Sequence, residues 1–173
     1  SGRVEEAKTF FEGMPFRNVV SWNAMVNGLV KNGEMDDARS VFDRIPAKNV
    51  ASWNVIIKGC VENGRMEEAR GLFEEMEERN VITYTSMISG YCRNGDVEEG
   101  YRLFCRTPEK NVVCWTAMIG GFSWNGFDEE ALVLFLNMMR SSTTVPNVET
   151  FISVAYACAG LRFPCLGKQI HAP

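Results

Sequence analysis

"NVVSWNAMVNGLVKNGEMDDARSVFDRIPAK" occupies residues 18–48, and "NVASWNVIIKGCVENGRMEEARGLFEEMEER" follows at residues 49–79. Both stretches fill one frame of 31 residues. The frame continues along the chain. Its leading asparagines are Asn18, Asn49, Asn80 and Asn111, spaced by 31, and Asn147 follows after 36. Each precedes an aromatic residue by four positions: Trp22, Trp53, Tyr84, Trp115 and Phe151. Gly28, Gly59, Gly90 and Gly121 recur behind the first four aromatics. Asn-Gly pairs then recur at 32–33, 63–64, 94–95 and 125–126. A small residue follows at Ala38, Ala69, Gly100 and Ala131, and Phe42, Phe73, Phe104 and Phe135 close the pattern. Self-similarity at such a period marks a repeat architecture.

Each unit reads as two helices. The first is expected to run from about the aromatic to just before Asn-Gly, with apolar residues at helical spacing, as in Trp22, Met25, Val26 and Leu29. Asn-Gly supplies the positive φ of a tight turn. The second helix opens with acids, as in "EMDDAR", "RMEEAR" and "DVEEGY", which suits the helix dipole. Its stripe includes Met35, Ala38, Val41, Phe42 and Ile45, and Pro46 and Pro108 mark two of the ends. The small residue lets the two helices approach closely. A pair this short cannot bury its own apolar face, whereas stacked copies can, so the expected fold is an all-α solenoid. Its first helices line one side and its second helices the other. Residues 1–17 fit the second helix of a preceding, truncated unit.

Composition narrows the function classes. The chain has 173 residues, 46% apolar and 23% charged, an ordinary globular balance. No apolar run reaches the roughly 18 residues of a membrane span, so no membrane partner is expected. The opening "SGRVEEAKTF" has no targeting character and reads like the middle of an element, so the chain is expected to be a fragment. Six cysteines, at 60, 92, 105, 114, 158 and 165, form no C-x-x-C. They read as small buried hydrophobes in a reducing compartment. With a single histidine, His171, no zinc pattern exists, and neither a metal site nor a cofactor is expected.

A net charge of −4 and a pI near 5.2 argue against nucleic-acid binding if taken whole. The charge is segregated, however. Residues 19–31, 50–62, 81–93 and 112–124 hold three bases, Lys31, Lys58 and Arg93, against one acid, Glu62. These first helices therefore carry +2, and the rest of the chain −6.

The stretch "VVSWNAMVNG…KNGEMDDARSVFDRIP" resembles the pentatricopeptide repeat family. The resemblance covers nearly the whole chain: a partial repeat at 1–17, repeats at 18–48, 49–79, 80–110 and 111–146, and a partial repeat at 147–173. The 31-residue units resemble short repeats of the family's plant-type subclass. The unit ending "VPN" resembles its longer type, and the last, with "GKQIHA", its long type. That last segment departs from the frame, with Arg162 at the turn glycine and His171 at the phenylalanine. Tetratricopeptide repeats share the A-x3-F element but carry W-x2-L-G-x2-Y in a unit of about 34 residues. Here the aromatic is followed by "NAMVNG" or "TSMISG", a poorer fit.

The resemblance implies a right-handed α-solenoid that binds single-stranded RNA, one nucleotide per repeat, with the RNA 5′ end toward the protein N-terminus. Two residues per repeat are implied to read the base, the fifth and the next leading asparagine. Carried over, these are Asn23 with Asn49, Asn54 with Asn80, Thr85 with Asn111, and Thr116 with Asn147. The implied target is 5′-pyrimidine-pyrimidine-A-A-3′. Val20, Ala51, Ile82 and Val113 are implied to clamp bases, and Lys31 and Arg93, at the thirteenth position, to contact phosphate. Glu62 and Trp124 stand at that position in the other repeats and do not match. In the last segment Ile152 and Glu149 suit no base, so it is expected to space and not to read. The biology implied is guidance of RNA processing or C-to-U editing in a plant mitochondrion or chloroplast, with editing or processing proteins as further partners.

The residue types alone leave other roles open. Asparagine and threonine at the fifth positions also suit helix N-caps. Ser21, Ser52 and Thr83, two residues earlier, could cap instead, and the leading asparagines suit turns. The clamp residues suit plain burial. The aromatics could stack on bases, but their register follows the apolar stripe, so core packing is expected. A deaminase would need H-x-E and C-x-x-C around zinc, and neither occurs, so no enzyme is expected. The alternative function is a helical-repeat scaffold for proteins.

Overall fold

The computed structural model describes residues 2–141 and 144–162. The "GKQIHA" segment, Cys165 and His171 lie outside them. The described residues form helices and no strand. In order these are α1 (Gly2–Gly13), α2 (Val19–Lys31), α3 (Met35–Asp43), α4 (Val50–Glu62), α5 (Met66–Glu75), α6 (Val81–Arg93), α7 (Val97–Arg106), α8 (Val112–Trp124), α9 (Asp128–Arg140) and α10 (Val148–Arg162). The chain forms two compact units, Ser1–Met87 and Ile88–Pro173, and α6 runs from one into the other. In the first, α2 packs on α1, α3 and α4, and α4 packs on α3 and α5. In the second, α8 packs on α7, α9 and α10, and α9 packs on α10. Each unit thus repeats one scheme, in which a first helix touches its own second helix, the preceding second helix and the next first helix. This is the packing of an α-solenoid.

The first helices begin three residues earlier than the apolar pattern suggests. Their N-caps are the leading asparagines. Asn18, Asn49 and Asn147 each accept the N–H three residues on, from Ser21, Ser52 and Thr150, at 2.9 Å. Asn80 accepts from Thr83 at 3.1 Å and Asn111 from Cys114 at 3.0 Å. Ser21, Ser52 and Thr83 are therefore not caps but third helical residues. Ser52 and Thr83 return the bond by accepting the N–H of Asn49 at 3.4 Å and of Asn80 at 3.3 Å. That reciprocal arrangement is a capping box. The fifth positions lie one turn inside the helix, which excludes the capping role for them.

The Asn-Gly turn ends each first helix in the same way. Gly33, Gly64, Gly95 and Gly126 have φ between 73° and 81°. The N–H of Gly33 reaches Val30 C=O at 3.0 Å, and that of Glu34 reaches Leu29 C=O at 3.0 Å. This Schellman pair recurs at the other three turns. Asn32, Asn63 and Asn125 add a side-chain donor to the carbonyls of Gly28, Gly59 and Gly121 at 2.7–2.9 Å. The residue after each turn glycine then opens the second helix, as where Glu34 C=O accepts the Ala38 N–H at 2.9 Å.

Aromatic rings join consecutive pairs. Phe11, Phe42, Phe73, Phe104 and Phe135 each meet the next aromatic, from Trp22 to Phe151, edge to face at 4.9–5.9 Å. A cation precedes each of the first four leading asparagines: Arg17, Lys48, Arg79 and Lys110. Each lies over the phenylalanine ring, at 4.7–5.2 Å. Each also donates to carbonyls at or just beyond the end of the second helix, as when Arg79 Nε reaches Phe73 C=O at 2.8 Å. One residue thus supplies a cation–π contact and a C-terminal cap that suits the helix dipole.

Glycine also sets the distance between neighbouring first helices. A Cβ on Gly59 would stand 2.6 and 2.8 Å from the two Val30 γ-carbons. One on Gly121 would meet Cys92 Sγ, and Cys92 Cβ at 2.8 Å. Within each pair Ala38, Ala69 and Ala131 are fully buried, as the expected close approach requires.

Three of the cysteines are buried as expected, Cys60, Cys92 and Cys114, but Cys105 and Cys158 fall off the apolar stripe and are exposed. Burial, with Glu68 nearby, pushes the Cys60 thiol up to about 12. Burial, with Asp96 nearby, pushes Cys92 up to about 11. Both stay protonated at pH 8, and thiols react as thiolates. Iodoacetamide at pH 8 should therefore modify Cys105 and Cys158 in the folded chain, leaving Cys60 and Cys92 unmodified until denaturant is added. Peptide mass spectrometry reads the result.

Candidate nucleic-acid interface

The N-terminal turns of α2, α4, α6 and α8 present the same set of side chains. At the second helical position Val20, Ile82 and Val113 are 69%, 56% and 52% exposed, and Ala51 is exposed too. Plain burial is thereby excluded for them. They precede the apolar stripe and point away from the packed side. An exposed apolar residue thus recurs at one place in α2, α4, α6 and α8, whereas α10 has Glu149 there.

The fifth positions, Asn23, Asn54, Thr85 and Thr116, are half-buried beside them. Their polar atoms meet different partners. Asn23 Oδ1 is buried without a hydrogen bond. Asn54 Nδ2 donates to Asn80 Oδ1 at 3.2 Å, and the Thr83 hydroxyl donates to Asn54 Oδ1 at 2.6 Å. Thr85 gives its hydroxyl proton to its own helix, at Val81 C=O, 2.7 Å away. The Thr116 and Thr150 hydroxyls lie 2.6 Å apart. The first, second and fourth implied reading pairs each lie within one unit, and of these only Asn54 with Asn80 are in direct hydrogen bond.

The leading asparagines owe their invariance to capping. The cap also fixes their amide orientation. With Oδ1 committed to the helix N–H groups, the Nδ2 atoms of Asn49 and Asn80 keep their hydrogens uncommitted among the described residues.

At the thirteenth position Lys31 and Arg93 are exposed and have no ion-pair partner among the described residues. Glu62 lies 3.6 Å from Lys58, and Trp124 is 65% exposed. The cations stand at the C-terminal ends of α2 and α6, where the dipole favours them. The recurrent aromatics are held against the preceding phenylalanines. Trp22 is buried, Trp53, Tyr84 and Trp115 are half-buried as their register suggests, and Phe151 is exposed. In α10, Glu149 and Ile152 are exposed. The described residues include no group of three or more His, Cys, Asp or Glu that could hold a metal ion, and no helix long and apolar enough to cross a membrane.

Two sets of residues escaped the sequence reading. One is the cation before each leading asparagine, visible as "RN" or "KN" at 17–18, 48–49, 79–80 and 110–111. The other is Thr83 and Thr150, which touch the fifth residue of the preceding repeat. Nothing in a single sequence marks that contact, because the partners are 29 and 34 residues apart.

Known proteins show the same architecture. Maize pentatricopeptide repeat protein PPR10 matches with a TM-score of 0.69 and 22% identity, over 88% of this chain and 24% of that one. PPR10 in complex with an 18-nucleotide psaJ RNA element matches at 0.76 and 19%, over 96% and 28%. The repeat domain of Arabidopsis thaliana protein-only RNase P 1, in complex with tRNA, matches at 0.64 and 15%, over 84% and 83%. The chain thus spans about a quarter of PPR10. No curated protein matches it by sequence. Models of the PPR repeat match residues 20–50, 51–81, 78–106 and 113–142, more than half of its length. With helix pairs, turns and inter-repeat packing all in register with these matches, the chain belongs to the pentatricopeptide repeat family.

Proposed function

We propose that the chain binds single-stranded RNA, one nucleotide per repeat, and selects bases through its fifth positions. The observation that carries this reading is the recurrent pairing of an exposed apolar residue with a half-buried Asn or Thr, one helical turn apart, on α2, α4, α6 and α8. The apolar residues Val20, Ala51, Ile82 and Val113 cover base faces. Asn23, Asn54, Thr85 and Thr116 meet base edges, with the leading asparagines adding Nδ2 donors. Asparagine offers donor and acceptor to a Watson–Crick edge, and shorter threonine leaves room for a larger base. The target is 5′-pyrimidine-pyrimidine-A-A-3′. Unpaired Lys31 and Arg93 attract phosphate, and the net +2 of the first helices makes the low overall pI compatible with RNA. PPR10 and protein-only RNase P 1 are RNA-bound in solved structures, which supports the same partner here.

The wider role follows the family. The chain is a non-catalytic part of a plant-type factor that guides organellar RNA processing or C-to-U editing, in a mitochondrion or chloroplast, with processing proteins as partners. The segment from Asn147 spaces the array and does not read.

Stacking of a base on an aromatic ring is worth about 1–3 kcal/mol. The aliphatic Val20, Ala51, Ile82 and Val113 offer less, so four repeats give weak, salt-sensitive binding. Fluorescence anisotropy at low salt should show tighter binding to RNA containing CCAA than to CCCA, by roughly the fivefold of one hydrogen bond. Equal affinity for both would overturn base selection. It would favour a protein scaffold, which has no reason to distinguish nucleotides.

A further inference from the structure

The carboxamide of Asn54 has only one way to face, and Thr83 helps to set it. The backbone N–H groups of Ile82 and Thr83 both donate to Asn80 Oδ1 at 3.1 Å, which fixes that atom as oxygen. Asn54 meets it at 3.2 Å and must present its nitrogen. Asn54 Oδ1 then faces the Thr83 hydroxyl, which donates to it at 2.6 Å. The Thr83 oxygen accepts the Asn80 N–H at 3.3 Å and lies 3.1 Å from Asn80 Oδ1, but Asn54 Oδ1, at 2.6 Å, is the nearer acceptor for its one proton. A helix cap in one repeat thereby orients the side chain that the preceding repeat offers to a ligand.

We propose that Thr83 is a specificity-determining positioning residue for the nucleotide opposite Asn54. This rests on the base-selection reading above. With the amide so held, one hydrogen on Asn54 Nδ2 and two on Asn80 Nδ2 are uncommitted, against one remaining lone pair on Asn54 Oδ1, so donors predominate. Donors suit cytosine, whose Watson–Crick edge carries two adjacent acceptors, O2 and N3, better than adenine, whose edge carries N1 alone. The neighbouring junction shows what happens without the contact. The Ser52 hydroxyl lies 3.0 Å from Asn49 Oδ1, and Asn23 Oδ1 is left buried without a partner. At the third position of α10 the contact returns, with Thr150 against Thr116.

Thr83→Val keeps the side-chain shape and removes the hydroxyl, while Thr83→Ser retains it. Anisotropy with CCAA and CAAA reads selection at the second nucleotide, and CCCA reads it at the third. The wild type and Thr83→Ser should prefer CCAA over CAAA by roughly fivefold, the worth of one hydrogen bond. Thr83→Val should bring that preference close to unity while keeping the preference for CCAA over CCCA. If Thr83→Val retains wild-type selection at the second nucleotide, Thr83 has no positioning role and the inference fails alone. If it weakens all three RNAs by one factor, Thr83 serves only the helix cap, and the inference again fails alone. A wild type without preference at either nucleotide would overturn base selection, and this inference with it.

Discussion

Phe42→Ala is expected to destabilise the first unit by about 3–5 kcal/mol, the usual cost of a buried ring truncated to a methyl. Phe42 is 1% exposed, and its ring meets Trp53 edge to face at 5.0 Å. Lys48 Nζ lies 5.2 Å from the same ring and Arg39 at 5.9 Å. Removing the ring opens a cavity between α3 and α4. It also strips the support from Lys48, which donates to the Asp43 and Ile45 carbonyls at 3.1 Å. The loss therefore falls on the junction between consecutive helix pairs, on which a solenoid depends. Urea unfolding followed by tryptophan fluorescence measures it. A change under about 1 kcal/mol, the level of an ordinary substitution, would contradict the claim that this ring pair joins the repeats.

The second large effect separates two glycines of one series. Gly121→Ala should destabilise by about 1–3 kcal/mol, as overpacking does. The new methyl would stand 2.8 Å from Cys92 Cβ, a backbone-fixed atom that no rotamer change can move. Gly28→Ala has nothing within 4 Å to meet. It should stabilise by about 0.5–1 kcal/mol, since alanine is the better residue inside a helix. Thermal unfolding of the two variants should shift in opposite directions. Equal shifts would mean that close approach between neighbouring first helices does not explain the recurring glycine.

Much of this fold was legible because the repeat shows each signal several times. The Asn-Gly turns, the second-helix acids and the buried Ala38, Ala69 and Ala131 all stand where the pattern suggests. Helix starts were harder to read. Asn18 and Ser21 are both good caps, and half-buried Val19 and exposed Val20 add little to the apolar stripe, so the stripe begins at Trp22. Hydrogen-bond geometry alone ranks the asparagine as the cap. The roles of the fifth positions were legible in part. Their type and period set them apart, but the hydrogen bonds of Asn54 go to Thr83 and Asn80, residues that only folding brings near. The exposure of Val20, Ile82 and Val113 was likewise open, because an apolar residue in the first helical turn can face either way.

The central claim is that the fifth position selects a base, and Thr85→Asn tests it most directly. Thr85 spends its proton on Val81 C=O, so it faces a ligand as an acceptor, suited to the amino group of adenine. Asparagine there would restore the side chain found at Asn23 and Asn54. Anisotropy with RNA containing CCAA or CCCA should show the wild type favouring CCAA and the variant favouring CCCA, each by roughly the fivefold of one hydrogen bond. Equal binding of both RNAs by both proteins would contradict base selection by this chain.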